Sequence, residues 1–239
     1  MIPLFSTEQV RNADKYAIEE LAIPGIVLME NASLSIVNSI KQNFKLIKGI
    51  STIGLIAGKG NNGGDAFAVA RHFINEGYDV NVIIIAKNNQ LKGDALINFS
   101  ILNALTKKVN NSNLVFFNSI QDLKKLKDCD IIIDGLLGTG TKGQIEEPYK
   151  SIVEFVNNHS SYKVAIDLPS GLSLDNSTAS TVFNSDLTVT LAEYKTGLFS
   201  GKGYEVAGRI EKGSIGIGRE YFENQKISEY LIEPEDALK

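Results

Sequence analysis

The chain has 239 residues, of which 43% are hydrophobic, 22% charged and 8% aromatic, and 24 Lys and Arg stand against 28 Asp and Glu for a formal net charge of −4. This is the balance of a globular protein, not a disordered or collagen-like one, and at this length roughly two thirds of the unfolded surface is buried without disulfide staples. The mildly acidic surface offers neither the basic stripe that nucleic acid requires nor a polybasic membrane patch. No apolar run approaches the ~20 residues of a spanning helix. One cysteine, Cys129, and the lack of an apolar leader point to a reducing, cytoplasmic setting.

Ser6 or Thr7, with Gln9 three or two positions on, predicts a capped helix with Val10, Ala13, Ala17 and Leu21 on its apolar face, stopped by Pro24-Gly25. A second helix buries Ile36, Val37, Ile40 and Phe44, and Gly49 then leads into a strand over residues 53–57. A glycine loop at 58–64 and a helix with Phe67, Ala70, Phe73 and Ile74 inward come next, then a strand at 80–85. A helix carrying Leu91, Ala95, Phe99 and Leu102, a strand at 114–117, a short helix around Leu123 and Leu126, and a strand at 131–134 continue the alternation. Tyr149, Ile152, Val153 and Val156 mark another helix, before strands at 164–167 and 187–191. Continuous Val/Ile runs separated by amphipathic helices predict a Rossmann-like, doubly wound α/β fold, a mostly parallel sheet with helices on both faces. The glycine-rich stretch 201–218 is expected to close the sheet edge with short strands and residues 219–239 to form a peripheral, mobile tail, all within a single domain over 1–239.

Open parallel sheets bind ligands beyond the carboxyl ends of their strands. Gly58-Lys59-Gly60-Asn61-Asn62-Gly63-Gly64-Asp65 is a G-x-G-x-x-G between a strand and a helix, where free backbone N–H groups favour a phosphate. No Asp or Glu lies in 82–87 to hold an adenine ribose, which argues against an ordinary nicotinamide-dependent dehydrogenase, and no Gly-Lys-Ser/Thr ends the run, which excludes a Walker A loop. Asp134-Gly135-Leu136-Leu137-Gly138-Thr139-Gly140-Thr141-Lys142-Gly143 repeats the spacing, and two such loops suit a diphosphate better than one. At Asp167-Leu168-Pro169-Ser170-Gly171 a carboxylate closes a strand. Asn62, Asp134 and Ser170 are hard oxygen donors of the kind a simple cation accepts, which leaves Asp167 for proton transfer. His72, His159 and Cys129 read as structural, and Lys195, in Tyr194-Lys195-Thr196-Gly197-Leu198, as a solvated lysine near the pocket.

Taken together these segments resemble the NAD(P)H-hydrate epimerase family, the YjeF N-terminal domain family. The resemblance runs through Ala13-Asp14, Ile23-Pro24-Gly25, Leu28-Met29-Glu30-Asn31-Ala32, Gly60 to Asp65, Asp134 to Gly140, Ile166 to Gly171 and Lys195-Thr196-Gly197-Leu198, nearly the whole chain. One departure is Leu191-Ala192-Glu193-Tyr194, where the family usually has an aromatic residue and a proline. The resemblance implies an isomerase of nicotinamide nucleotide repair. It would interconvert the R and S forms of NADH and NADPH hydrated at C6 of the nicotinamide (NADHX and NADPHX), so that a separate S-specific dehydratase regenerates the cofactor. It also implies that Asn61, Asn62, Gly63, Gly64 and Asp65 bind the dinucleotide together with Gly138, Thr139, Gly140, Thr141, Lys142, Gly143 and Gln144. Asp167 would lie at the reacting ring, and Asn62, Asp134 and Ser170 would hold one potassium ion per subunit. A non-catalytic binding scaffold on the same fold is the rival expectation, and apolar surface on the first two helices suggests a homodimer.

Overall fold

The computed structural model describes residues 1–140, 143–173, 181–233 and 236. Its centre is a seven-stranded sheet built from β2 (Thr52–Ala57), β3 (Asp79–Ile84), β4 (Ser112–Phe116), β5 (Ile131–Gly135), β6 (Tyr162–Ile166), β7 (Leu187–Leu191) and β8 (Arg209–Gly213). Every neighbouring pair is parallel, in the order β4-β3-β2-β5-β6-β7-β8. Strands buried on both faces need apolar residues at consecutive positions, which is why Ile53 to Ala57 and Ile131 to Ile133 are unbroken runs. Alternate residues serve opposite layers. Ile53, Leu55 and Ala57 pack under α2 (Gly25–Asn43), α3 (Asn61–Asn75) and α4 (Gly93–Thr106), whereas Ile56, Ile132 and Ala165 pack against the 3-10 segment Ile120–Leu126 and α5 (Tyr149–Asn157). Each fully buried Ile or Leu contributes on the order of 1.5–3 kcal/mol to this three-layer core.

Local chemistry sets the boundaries. Ser6 caps α1 (Thr7–Glu19): its hydroxyl accepts from the Gln9 N–H at 3.2 Å and its own N–H donates to the Gln9 side chain at 2.9 Å. The helix ends before Pro24, which instead starts α2, so Leu21 lies past the helix and is 46% exposed. Phe44 likewise ends α2 and is not inside it. α3 starts at Asn61, inside the expected loop, with Gly60 as its N-cap.

Residues 201–218 supply α6 (Gly201–Val206) and the single edge strand β8. The expected tail stays outside the large sheet but carries regular structure through residue 231, packed on the N-terminal segment. α7 (Arg219–Glu223) buries Phe222 against Phe5, with ring centroids 5.2 Å apart, and β9 (Glu229–Leu231) pairs antiparallel with β1 (Ile2–Leu4). Ile18, Leu21, Val27 and Leu34 are exposed on or beside α1 and α2. Among the described residues no helix is long and apolar enough to cross a membrane.

Candidate active site

The chain winds outward from β2 through β3 to β4, then returns to the other side of β2 as β5. The loops after β2 and β5 therefore diverge at a switch point, and the crevice between them is where such sheets take ligands. A cavity of about 880 Å³ opens there. Its lining includes Asn61, Asn62 and Asp65 from the first turns of α3, Gly138, Thr139 and Gly140 from the second glycine loop, and Asp167 from the end of β6. Gly63 and Gly64 belong to the same turn but pack against protein: a Cβ on Gly63 would stand 1.9 Å from the Gly58 carbonyl oxygen and one on Gly64 2.7 Å from Met29 Sδ. Gly143 and Gln144 lie off the cavity lining, and Thr141 and Lys142 lie outside the described residues.

The side of α1 that carries Thr7, Val10, Arg11, Asp14 and Ile18 lines the cavity, a spacing of three, four, seven and eleven residues from the first. The helix is fastened at both sides of the crevice. Phe5, just before it, donates its N–H to the Tyr194 carbonyl at 2.8 Å and accepts from the Thr196 N–H at 3.0 Å. Further along, the Arg11 guanidinium donates to the Thr139 hydroxyl at 3.3 Å and to its carbonyl.

Asp167 sits in a strained turn. Its φ is +65°, rare for a residue with a side chain, and the Leu168 N–H closes a three-residue turn onto the Ile166 carbonyl at 2.7 Å. Ala192 repeats this at the end of β7, with φ +65° and the Glu193 N–H bonded to the Leu191 carbonyl at 2.9 Å. The two turns support each other, because the Leu191 N–H donates to Asp167 Oδ1 at 3.0 Å. Lys195 is not the solvated lysine expected from sequence: it is 1% exposed and its Nζ lies 2.6 Å from Asp167 Oδ1. Its remaining donors go to Thr190 Oγ1 at 3.0 Å and the Leu191 carbonyl at 2.9 Å. With its ammonium fully engaged, Lys195 fixes the orientation of the Asp167 carboxylate.

Two further carboxyls face Asp167. Burial first, then the charges of Asp167 and Asp14, push Asp65 well above the ordinary carboxylate range. Asp14 is reached by solvent through the cavity but hemmed in by protein. That desolvation, with repulsion from Asp167 and partly offset by Lys195, raises it to about 6. Asp14 stands out in the sequence only through its place in the resemblance, since an Asp in an amphipathic helix looks solvated until α1 is known to line the cavity.

Asn62, Asp134 and Ser170 meet behind the cavity. Asp134 is 0% exposed; its oxygens accept from the Leu136 N–H at 3.1 Å and from the Ser170 N–H and hydroxyl, both at 2.7 Å. Burial raises its pKa to about 6, with the Ser170 bonds pulling the other way. The Ser170 hydroxyl also accepts the Leu137 N–H at 2.9 Å, and Asn62 Nδ2 donates to the Leu137 and Ile166 carbonyls at 2.9 and 3.0 Å. Asp134 is a buried carboxylate with no cationic partner among the described residues, met by two N–H groups and the Ser170 hydroxyl; with the Leu137 carbonyl beside that hydroxyl and Asn62, the cluster has oxygen donors of the kind a monovalent cation takes. Among the described residues no group of three or more His, Cys, Asp or Glu could hold a metal.

Cys129 is buried ahead of β5, where desolvation lifts its thiol to about 11. His72 pairs with Glu30 at 3.0 Å on the flank of α3.

The model of the YjeF-related protein N-terminus matches residues 25–197. An NAD(P)H-hydrate epimerase of Rhodopirellula baltica is 33% identical over 90% of this chain and 85% of its own, and one from Oenococcus oeni is 32% identical over 89% and 96%. A bifunctional NAD(P)H-hydrate repair enzyme of Moorella thermoacetica is 33% identical over 96% of this chain, which spans only 43% of that longer protein. The crystal structure of yeast ynu0 superposes with a TM-score of 0.72 at 22% identity, covering 84% of this chain and 85% of that one, and shares the fold. With a family match across most of its length and relatives about one third identical over nine tenths of it, this chain belongs to the family of YjeF-related protein N-terminal domains.

Proposed function

We propose that this protein interconverts the R and S epimers of NADH and NADPH hydrated at C6 of the nicotinamide ring, as part of nicotinamide nucleotide repair. The observation that carries the reading is Asp167: a carboxylate oriented by a buried lysine, on a strained strand end, facing a cavity shared with two loops suited to a diphosphate. α3 has no side-chain cap at Gly60, so its first N–H groups and the positive end of its dipole are available to an anion, and Lys59 and Arg11 add positive charge at the cavity wall.

C6 of the hydrate bears both a hydroxyl and the ring nitrogen. Loss of water assisted by the nitrogen lone pair, and its return on the other face, inverts the centre, and each half needs a proton moved at the hydroxyl oxygen. In this reading Asp167 exchanges that proton, supported by Lys195 and the Leu191 N–H, which hold its carboxylate in place. Asn62, Asp134 and Ser170 would hold a potassium ion, which when bound supplies positive charge near the diphosphate and ties the loops together. The S epimer is consumed by a dehydratase activity, the chemistry that the bifunctional relatives' name of repair enzyme suits.

Purified protein given the R hydrate is expected to form the S hydrate, followed by chromatography with and without potassium. Asp167→Asn should slow conversion by ~10²-fold or more. Wild-type protein that leaves the R hydrate unchanged overturns the reading, and Asp167→Asn at full rate removes Asp167 from the chemistry.

A further inference from the structure

Inverting C6 by departure and return of water calls for proton exchange on both faces of the ring, because the hydroxyl leaves from one side and arrives on the other. Asp167, rising from the end of β6, serves one wall of the cavity. A further part of the lining is α1, tied to the end of β7 through Phe5 and to the second glycine loop through Arg11. On its cavity-facing side this helix presents one carboxyl, Asp14, which has no hydrogen-bond or ion-pair partner among the described residues.

We propose that Asp14 is a second catalytic carboxyl of this site, exchanging the proton of the C6 hydroxyl on the ring face opposite Asp167. The inference rests on the epimerase reading and deepens it. In one direction the Asp14 acid gives its proton to the leaving hydroxyl, the C6–O bond breaks with its electron pair on the departing water, and the N1 lone pair forms the C6–N1 double bond. Water then adds from the other side, the double-bond pair returns to nitrogen, and the surplus proton passes to the Asp167 carboxylate. Nothing is oxidised or reduced, and exchange with solvent resets the pair. The reverse reaction starts from the other singly protonated form, with the proton on Asp167.

The two carboxyls have different partners. Asp167 has its ammonium at 2.6 Å, whereas Asp14 has no ion-pair partner among the described residues and is pushed up to about 6 by desolvation and by Asp167 itself, partly offset by Lys195. Asp65 from α3 and Lys195 from beyond β7 face the same space, with Asp94 from α4, Lys59 from the first glycine loop and Arg11 from α1 along the lining. Asp65 is 5% exposed and held in α3, so it suits a fixed neutral donor better than an exchanging acid.

Because the productive enzyme carries one exchangeable proton at this site, kcat/KM in both directions should fall as pH rises through the ionisation of Asp14. Asp14→Asn is expected to melt like wild type, to keep KM within a few-fold, to lower kcat by ~10²-fold and to lose this alkaline limb, with Asp14→Glu restoring part of both. Wild-type conversion with Asp14→Asn at a kcat within about threefold, or a loss of rate that leaves the limb in place, overturns the role of Asp14 alone. Wild-type protein that converts neither epimer overturns the epimerase reading and this proposal with it.

Discussion

The two glycine loops share one spacing, Gly58-x-Gly60-x-x-Gly63 and Gly138-x-Gly140-x-x-Gly143, and meet opposite physical demands. In the first, glycine is required by backbone approaching backbone: a Cβ on Gly58 would lie 2.0 Å from the Leu136 carbonyl oxygen and one on Gly63 1.9 Å from that of Gly58. In the second, among the described residues a Cβ on Gly138 would meet only the Asn62 side chain, at 3.2 Å, and one on Gly140 or Gly143 nothing within 4 Å. Gly58 and Gly63 thus build the crevice by letting β2, α3 and β5 close on one another, whereas Gly60 is as open as Gly140, and Gly143 is called for by its φ of +76° and not by a close approach. Asn62 joins the two, donating across the crevice to the Leu137 carbonyl. A motif that looks like one ligand signal written twice is one packing device and one open rim.

The contrast is broken most severely at Gly63. Alanine there sets a methyl against a main-chain oxygen that no rotamer change can move, so α3 must retreat from the end of β2. The expected cost is about 3 kcal/mol or more, read from denaturant or thermal unfolding. A loss below about 1 kcal/mol would mean that the first loop is as open as the second. A smaller effect is expected at Ser170, which anchors the base of the second loop. Ser170→Ala removes the acceptor of the Leu137 N–H and one donor to buried Asp134, and about 2 kcal/mol should follow. Unchanged stability would show that the second loop is held by its own chain and not by the end of β6.

The sheet was legible because apolar runs of five or six residues with helical patterns between them have few other solutions, and the choice of Ser6 or Thr7 with Gln9 as a capping box places the start of α1 to within a residue, the structure taking Ser6. The carboxyl ends of β2, β5 and β6 then single out Asn62, Asp134, Asp167 and Ser170 before any coordinates are known. The roles of individual glycines were not legible, since composition does not distinguish a glycine pressed on a carbonyl from one facing open space. Lys195 was misread for a related reason: its partner Asp167 is 28 positions away, and nothing local marks a lysine that will be buried. The pairing of β1 with β9 joins the two ends of the chain through three-residue strands, too short to show a period.

The mildest change is the most discriminating. Gly140 does not have a positive φ and a Cβ there meets nothing within 4 Å among the described residues, so Gly140→Ala should leave stability within about 0.5 kcal/mol of wild type. The same methyl would project from the lining of the cavity, beside Thr139, whose contacts with Arg11 tether α1. If the second loop forms the rim against which the dinucleotide lies, that methyl occupies space needed by the ligand and by no part of the protein. KM for the hydrate should then rise by roughly 3- to 10-fold, equivalent to about 1 kcal/mol, with kcat little changed, because the displaced contact is as strong in the ground state as at the barrier. Destabilisation comparable to that of Gly63→Ala would make the second loop a packing element too, and unchanged KM with unchanged stability would put the ligand elsewhere along the crevice.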